Sequence, residues 1–372
     1  MASEDRKPWC VEPFSTLESK VYGPWGLCCR SRPLPYTPKT HSPLEHFNSP
    51  TMQRIRKNML EHNVTDEIKN LCQKCITHEK AGVVSRREQK RKTPLSSVNW
   101  ESFIEDDELR FETVEVKLFG NLCNLKCKMC DPIYSSSLAA ERHKSGEWTG
   151  PVHVDMWKEF DAMDTIVFYE DMKKILPNTL YLKFTGGEPM MNSGILDFLE
   201  WCYVNGYSDT VTLEIITNGT VINRDLLNYA KNFHSFHATV SIDGVFDVND
   251  YQRDGADFVT IDQNIEVLRE YGKVSINAAV TALTVSNIVE LEIYANAKGV
   301  DLDMTSIVTT PSYLQIKVLP TKWRQMLLDT QQFPYNIKAA LQDPEWPEDL
   351  FVILLKKHPE ILDLLPELED YV

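Results

Sequence analysis

Cys123, Cys127 and Cys130 stand at C-x3-C-x2-C spacing in the run Cys123-Asn124-Leu125-Lys126-Cys127-Lys128-Met129-Cys130, directly after a strand-like stretch from Val114 to Phe119. A tight loop at a strand end can aim three thiolates at one point, and soft thiolates select iron–sulfur clusters or zinc. A [4Fe–4S] cube takes four ligands, so three cysteines leave one iron open. A second strand-like run, Leu182-Lys183-Phe184, ends in Thr185-Gly186-Gly187-Glu188-Pro189. Paired glycines let a ligand lie against bare backbone, and Glu188 offers an acceptor to a cation.

In this order and at this distance, the two motifs resemble those of the radical S-adenosylmethionine (radical SAM) superfamily. The resemblance implies that Cys123, Cys127 and Cys130 ligate a [4Fe–4S] cluster whose open iron is chelated by the amino and carboxylate groups of S-adenosylmethionine. It further implies that Gly186, Gly187 and Glu188 hold the methionine amino group and that Met129 lies against the adenine. Thr217-Asn218-Gly219 would bring Asn218 to the cofactor. In Ser241-Ile242-Asp243-Gly244 and the following Arg253, Ser241 would reach the ribose and Arg253 the carboxylate, a charge-assisted bond. Plainer readings stand beside these: loop packing for Met129, a common turn for Asn218-Gly219, and a helix cap and surface salt bridge for Asp243 and Arg253. The implied chemistry is reductive cleavage of the sulfonium C5′–S bond to methionine and a 5′-deoxyadenosyl radical, which abstracts hydrogen from substrate. The implied electron donor is a flavodoxin- or ferredoxin-like protein.

A second cysteine set lies nearer the N-terminus: Cys10, the adjacent pair Cys28 and Cys29, and Cys72-Gln73-Lys74-Cys75. Four thiols with one C-x2-C fit a tetrahedral zinc site as well as a cluster by spacing, with one of Cys28 and Cys29 left for packing. A small proline-rich segment lacks the core to fold alone, so a metal staple makes energetic sense. This segment resembles the SPASM/twitch auxiliary-cluster module, including Cys72, Cys75, Glu79, Gly82 and Ser85-Arg86. The resemblance implies an auxiliary [4Fe–4S] cluster held by Cys10, Cys28, Cys72 and Cys75. Here the module precedes the barrel, whereas the commoner SPASM enzymes carry it afterwards.

The elements that must position these residues follow from periodicity. From Val114 on, strand-like runs (114–119, 179–184, 211–217, 236–242, 273–280, 302–308) alternate with helix-like ones (135–145, 166–176, 193–205, 223–232, 260–271, 286–298). That is the pattern of parallel β/α units, and six units suit the partial (β/α)6 TIM-like barrel the resemblance implies. The strands alternate apolar with polar, putting Leu180, Leu182 and Phe184 opposite Tyr181 and Lys183, and Glu115 and Lys117 opposite Val114, Val116 and Leu118. Thr185, Asn218, Ser241, Asp243 and Thr281 then share the polar parity near the strands' C-terminal ends, where barrel active sites sit. The expected organisation is a cysteine-rich module over 1–95, a linker over 96–112, an α/β barrel over 113–310 and a helical segment over 311–372. Within the module, Phe47 to about Leu60 reads as one amphipathic helix.

With 42% apolar residues the 372-residue chain can bury a sizeable core, and no run resembles a membrane span. The start, Met-Ala-Ser-Glu-Asp-Arg-Lys-Pro, has no apolar h-region, so a cytoplasmic location is expected. Nine cysteines, mostly in close sets, then argue for metal ligands over disulfides. A formal charge of −15 disfavours nucleic-acid binding; the basic run Arg86–Lys92 reads as a solvated linker or helix face. Cys202 reads as a core thiol, and the scattered histidines suggest no hydrolytic metal site. The expected substrate is a peptide or protein side chain. The alternatives are a small metabolite oxidised in a polar pocket around Glu115, Lys183, Glu214 and Asn277, and a non-catalytic iron–sulfur or zinc protein.

Overall fold

The computed structural model describes residues 8–80, 84–92 and 110–371. The expected linker falls outside the described residues as far as 109, as do Gly82 and the first seven residues. The chain divides into two compact units: Met1–Leu122 with Pro151–Ile215 and Asn223–Phe236, and Cys123–Gly150 with Ile216–Ile222 and His237–Val372.

In the first unit, strands β1 (Thr16–Ser19), β2 (Trp25–Gly26), β3 (Phe111–Val116), β4 (Thr179–Phe184) and β5 (Thr212–Thr217) are neighbours in the order β2-β1-β3-β4-β5. The β1–β3, β3–β4 and β4–β5 pairs are parallel; β2 closes the edge antiparallel to β1. The helices Ala162–Ile175 and Ser193–Val204 supply the crossovers that parallel pairing requires. Asp161 opens the first with a capping box and Asn192 caps the second. Phe119, Phe168, Phe184 and Phe198 interlock between these helices and the strands. Leu180 departs from the expected inward face: it is 53% exposed, as Tyr181 beside it is exposed, and alternation begins only at Leu182. Period two assigns a residue to a face but supplies no covering layer at a strand's entry.

The N-terminal cysteine region is tied into this sheet, because Thr16↔Thr113 and Glu18↔Glu115 are in register. It also has an apolar core of its own, with Val11, Phe14, Met52, Ile55, Met59 and Ile68 fully covered. The single helix expected over 47–60 is two, Pro43–Phe47 and Pro50–Leu60. Ser49 begins the second by accepting from Met52 N, and Pro50 suits its first turn but could not continue the helix before it. The expectation of a solvated face over Arg86–Lys92 is corrected. Arg86 pairs with Glu12 at 2.8 Å, Arg87 with Glu79 at 2.6 Å and Trp9 O at 3.0 Å, and Lys90 with Glu112 at 2.7 Å. A charge run in sequence says nothing of carboxylates that the fold brings from 74 positions away.

In the second unit, β6 (Ser235–Ser241), β7 (Lys273–Val280) and β8 (Asp301–Ile307) are parallel neighbours. The helices Phe258–Arg269 and Ile288–Lys298 connect them, and Gly299 at φ 64° ends the latter. Towards the C-terminus lie the helices Thr321–Thr330, Tyr335–Leu341, Glu348–Lys357 and Ile361–Leu364. Among the described residues no helix is long and apolar enough to cross a membrane.

Candidate functional site

The three-cysteine loop belongs to the second unit, and main-chain bonds fix its course. Lys126 N donates to Asp254 O at 2.8 Å and Lys128 N to Gln252 O at 2.9 Å, so the loop is laced to the residues on either side of Arg253. At its other flank the helix Ser136–Lys144 begins with two serines after a third, Ser135, that caps it. Ser135 donates to Leu125 O at 2.6 Å and Ser137 to Cys123 O at 2.7 Å, while Cys123 N donates to Ser136 Oγ at 3.2 Å. Cys127 is buried; Cys123, Cys130 and Met129 are half-buried. Burial pushes the Cys127 thiol up to about 11 against the pull of Arg253, and burial together with Cys127 and Cys123 pushes Cys130 up further. These three soft donors fit a cluster: a metal that takes thiolates relieves both the burial cost and their mutual repulsion.

Two side chains aim donors at the sulfurs. Arg253 Nη1 lies 4.0 Å from Cys127 Sγ, and Asn218 Nδ2 lies 4.0 Å from Cys123 Sγ. Asn218 is held by a closed network: its Nδ2 donates to Asn124 Oδ1 at 2.9 Å, Asn124 Nδ2 donates to Thr220 Oγ1 at 2.8 Å, and Asn218 Oδ1 accepts from Thr220 Oγ1 at 2.7 Å. Asn124 and Thr220 were not singled out by the sequence, where nothing distinguishes them from ordinary turn residues. Gly219 at φ 73° lets the turn pass where a Cβ would lie 2.8 Å from Val240.

Asp243 and Arg253 form a buried pair at 2.9 Å, 0% and 7% exposed, which corrects the reading as a surface salt bridge. Asp243 Oδ1 also accepts from Ala279 N at 2.7 Å. Ser241 is buried at the end of β6, in register with Asn277. Thr281, expected in the polar interior, accepts from Leu283 N at 3.1 Å and serves its own turn.

The Gly-Gly-Glu-Pro turn belongs to the first unit. Gly186 and Gly187 take φ of 88° and 58°, and a Cβ on Gly187 would meet Leu122 O at 2.6 Å. Glu188 is 1% exposed, donates from its N to Leu122 O at 2.7 Å and accepts from Met190 N at 2.9 Å. This unit also holds a line of charges, of which parity had placed Glu115, Lys183 and Glu214 on one face, while Glu18 joins them through the unforeseen strand β1. Glu18, Glu115, Lys183 and Glu214 occupy one register row across β1, β3, β4 and β5. Lys117 binds Glu18 at 2.8 Å and Glu115 at 2.9 Å, Lys20 binds Glu18 at 3.0 Å, and Lys183 binds Glu214 at 3.2 Å. Thr185 donates to Glu115 at 3.1 Å. Burial acts to raise both inner carboxyls, and it prevails at Glu18. At Glu115 the Lys117 and Lys183 ammoniums overcome it and hold the group down at about 2.

The N-terminal thiols share this unit. Cys10 and Cys28 are buried, and Cys29, Cys72 and Cys75 half-buried. Burial raises Cys10, with Glu12, Cys72 and Cys75 adding to it; burial raises Cys28, with Glu12, Cys29 and Cys10 adding. Cys29 instead feels Arg86, Glu115 and Lys117 after burial. Among the described residues no three His, Cys, Asp or Glu side chains are set about one point for a single metal ion.

Several known proteins resemble this chain. The pattern of the family described as Radical SAM superfamily matches residues 118–292. The radical SAM cyclopropyl synthase TigE of Paramaledivibacter caminithermalis (strain DSM 15212 / CIP 107654 / DViRD3) is 25% identical over 184 residues, 46% of this chain. The chain thus spans 37% of the length of that curated relative. Among solved structures, anSMEcpe with bound AdoMet matches at a TM-score of 0.43 and 20% identity over 59% of each chain. Streptococcus suis SuiB bound to S-adenosylmethionine matches at a TM-score of 0.41 and 16% identity, over 77% of this chain and 59% of that one. Residues 118–292, which hold the cysteine loop, the Gly-Gly-Glu-Pro turn and Arg253, are thus similar to the radical SAM superfamily.

Proposed function

We propose that this protein is a radical SAM enzyme that binds a [4Fe–4S] cluster through Cys123, Cys127 and Cys130 and abstracts hydrogen from a peptide or protein side chain. The observation that carries this reading is the cysteine loop itself, with three thiols on a laced backbone and donors aimed at two of the sulfurs. Bound there, the cluster would supply the electron that cleaves S-adenosylmethionine. The proposal gives Asn218, Ser241, Asp243 and Met129 to binding that cofactor, and carries the same role over to Gly186, Gly187 and Glu188 from the motif resemblance. The paired glycines leave main chain bare, and buried Glu188 adds a carboxylate suited to an ammonium.

A second reading, a small polar metabolite as substrate, is favoured by the register row Glu115, Lys183 and Glu214. Lys183 and Glu214 are partly exposed, and such a pair could exchange its partner for the carboxylate and ammonium of a zwitterion. In the N-terminal set, the proposal gives Cys10, Cys28, Cys72 and Cys75 to an auxiliary [4Fe–4S] cluster. Cys28 lies in the field of Cys10, while Cys29 lies in the field of Arg86, Glu115 and Lys117.

Anaerobically reconstituted protein, reduced with dithionite in the presence of S-adenosylmethionine, is expected to release methionine and 5′-deoxyadenosine, and Cys127→Ala to release neither. No release from iron-loaded wild type would leave the non-catalytic iron–sulfur reading standing. Iron content separates the two cysteine sets. Wild type is expected to carry about eight irons per chain, and the double variant Cys72→Ala/Cys75→Ala about four. About four irons with one zinc in wild type would make the N-terminal set a structural clip.

A further inference from the structure

Arg253 sits at the end of the short helix Asp247–Gln252, and the cysteine loop is laced to its two neighbours in sequence. Its guanidinium is therefore carried to the loop by main chain, whatever the side chains of the loop do. The side chain is 7% exposed, and a buried cation is costly unless compensated. One compensation is Asp243, which accepts from Nη2 at 2.9 Å. Asp243 is itself held, because Oδ1 also accepts from Ala279 N and Asp243 N donates to Asn249 Oδ1 at 3.1 Å. The compensation is incomplete on both sides: among the described residues, Asp243 Oδ2 and Arg253 Nε are buried without a hydrogen-bond partner. The remaining arm, Nη1, points at the sulfur of Cys127.

We propose that Arg253 is a positioning residue for the Cys127 thiolate, donating to its sulfur from a guanidinium locked by Asp243, and that this contact makes the cluster easier to reduce. The inference rests on the reading of Cys127 as a cluster ligand. A donor to a ligating sulfur spreads its negative charge and stabilises the reduced cluster, which adds one more negative charge. The role differs from a contact with the cofactor's carboxylate because it acts on the cluster before any cofactor binds. It also fixes a sign for Asp243. An asparagine there keeps the oxygen that accepts from Ala279 N and Nη2 but removes the counter-charge, leaving more positive field at the sulfur.

The test is the midpoint potential of the cluster in full-length protein without S-adenosylmethionine, followed by EPR on samples of matched iron and sulfide content. The relevant signal is identified by its loss in Cys127→Ala. Arg253→Gln is expected to shift the midpoint to a more negative potential, Arg253→Lys to shift it less in the same direction, and Asp243→Asn to shift it to a more positive one. An unchanged midpoint in Arg253→Gln overturns the proposal. So does a shift of the same sign in Asp243→Asn and the arginine variants, or an effect that emerges only once the cofactor is added. Should Arg253→Gln fail to load iron, the opposed signs of Arg253→Lys and Asp243→Asn decide the matter. A wild-type cluster that titrates but cleaves no S-adenosylmethionine would count against the enzyme reading and leave these shifts readable.

Discussion

Replacing Lys117 by methionine is expected to cost about 3–5 kcal/mol of stability at neutral pH, the range found when one partner of a buried ion pair is removed. Lys117 is the shared cation of two carboxylates, Glu18 and Glu115, that are 0% and 4% exposed. Methionine fills similar volume, so the loss reports charge rather than a cavity. The pH dependence carries the sharper sign. In the wild type Glu115 is held at about 2, below its usual 4.5, so its contribution is present above 4.5 and lost as pH falls towards 2. Without the ammonium, Lys20 at Glu18 and Lys183 and Arg86 at Glu115 still oppose burial and the mutual repulsion of the carboxyls. With the largest opposing charge gone both rise, so the variant is expected to gain relative stability as pH falls. The gap between wild type and Lys117→Met is therefore expected to widen between pH 4 and pH 7. Denaturant midpoints at the two pH values measure it. A loss under about 1 kcal/mol, or a gap independent of pH, would mean that the pair contributes no more than an exposed one.

Gly187→Ala is expected to combine two costs that a control separates. A left-handed backbone disfavours any Cβ by about 1–2 kcal/mol, and Gly187 stands at φ 58°. Its Cβ would also lie 2.6 Å from Leu122 O, a main-chain atom that cannot swing away. Gly206, at φ 76° with nothing among the described residues within 4 Å of its Cβ position, bears only the first cost. Gly206→Ala is expected to lower stability by about 1 kcal/mol and leave S-adenosylmethionine affinity alone. Gly187→Ala is expected to lose more stability and at least tenfold in that affinity, about 1.4 kcal/mol. Equilibrium dialysis beside thermal melts reads both. Equal effects of the two substitutions would remove the turn from the cofactor site.

The parallel strands and their helices were legible because their signal is local. Alternation in Leu213-Glu214-Ile215 or Val274-Ser275-Ile276 gives the strand and the face together. What escaped was set by partners distant in sequence. Thr16–Ser19 carries no strand pattern and becomes one because Thr113 and Glu115 offer it an edge. Arg86 and Arg87 look like a solvated run until Glu12 and Glu79 reach them. In the candidate site, the motif residues were visible by spacing, whereas the groups that hold them were not. Asn124, Thr220 and the serines at 135–137 act through single hydrogen bonds, which leave no periodicity. Asp243 and Arg253 were seen as a motif, but only the fold makes their pair a buried one.

The lacing of the cysteine loop has a consequence for how the sequence can drift. Lys126 and Lys128 are held through their amides alone at those two contacts, to the carbonyls of Asp254 and Gln252. A main-chain contact is indifferent to side-chain identity, so the hold on Cys127 survives mutation at either position with one exception. Proline has no amide hydrogen to give. Replacing either lysine forfeits its side-chain pairing with Glu141 or Asp254, yet the amide that laces the loop stays in place and the thiols keep their seat.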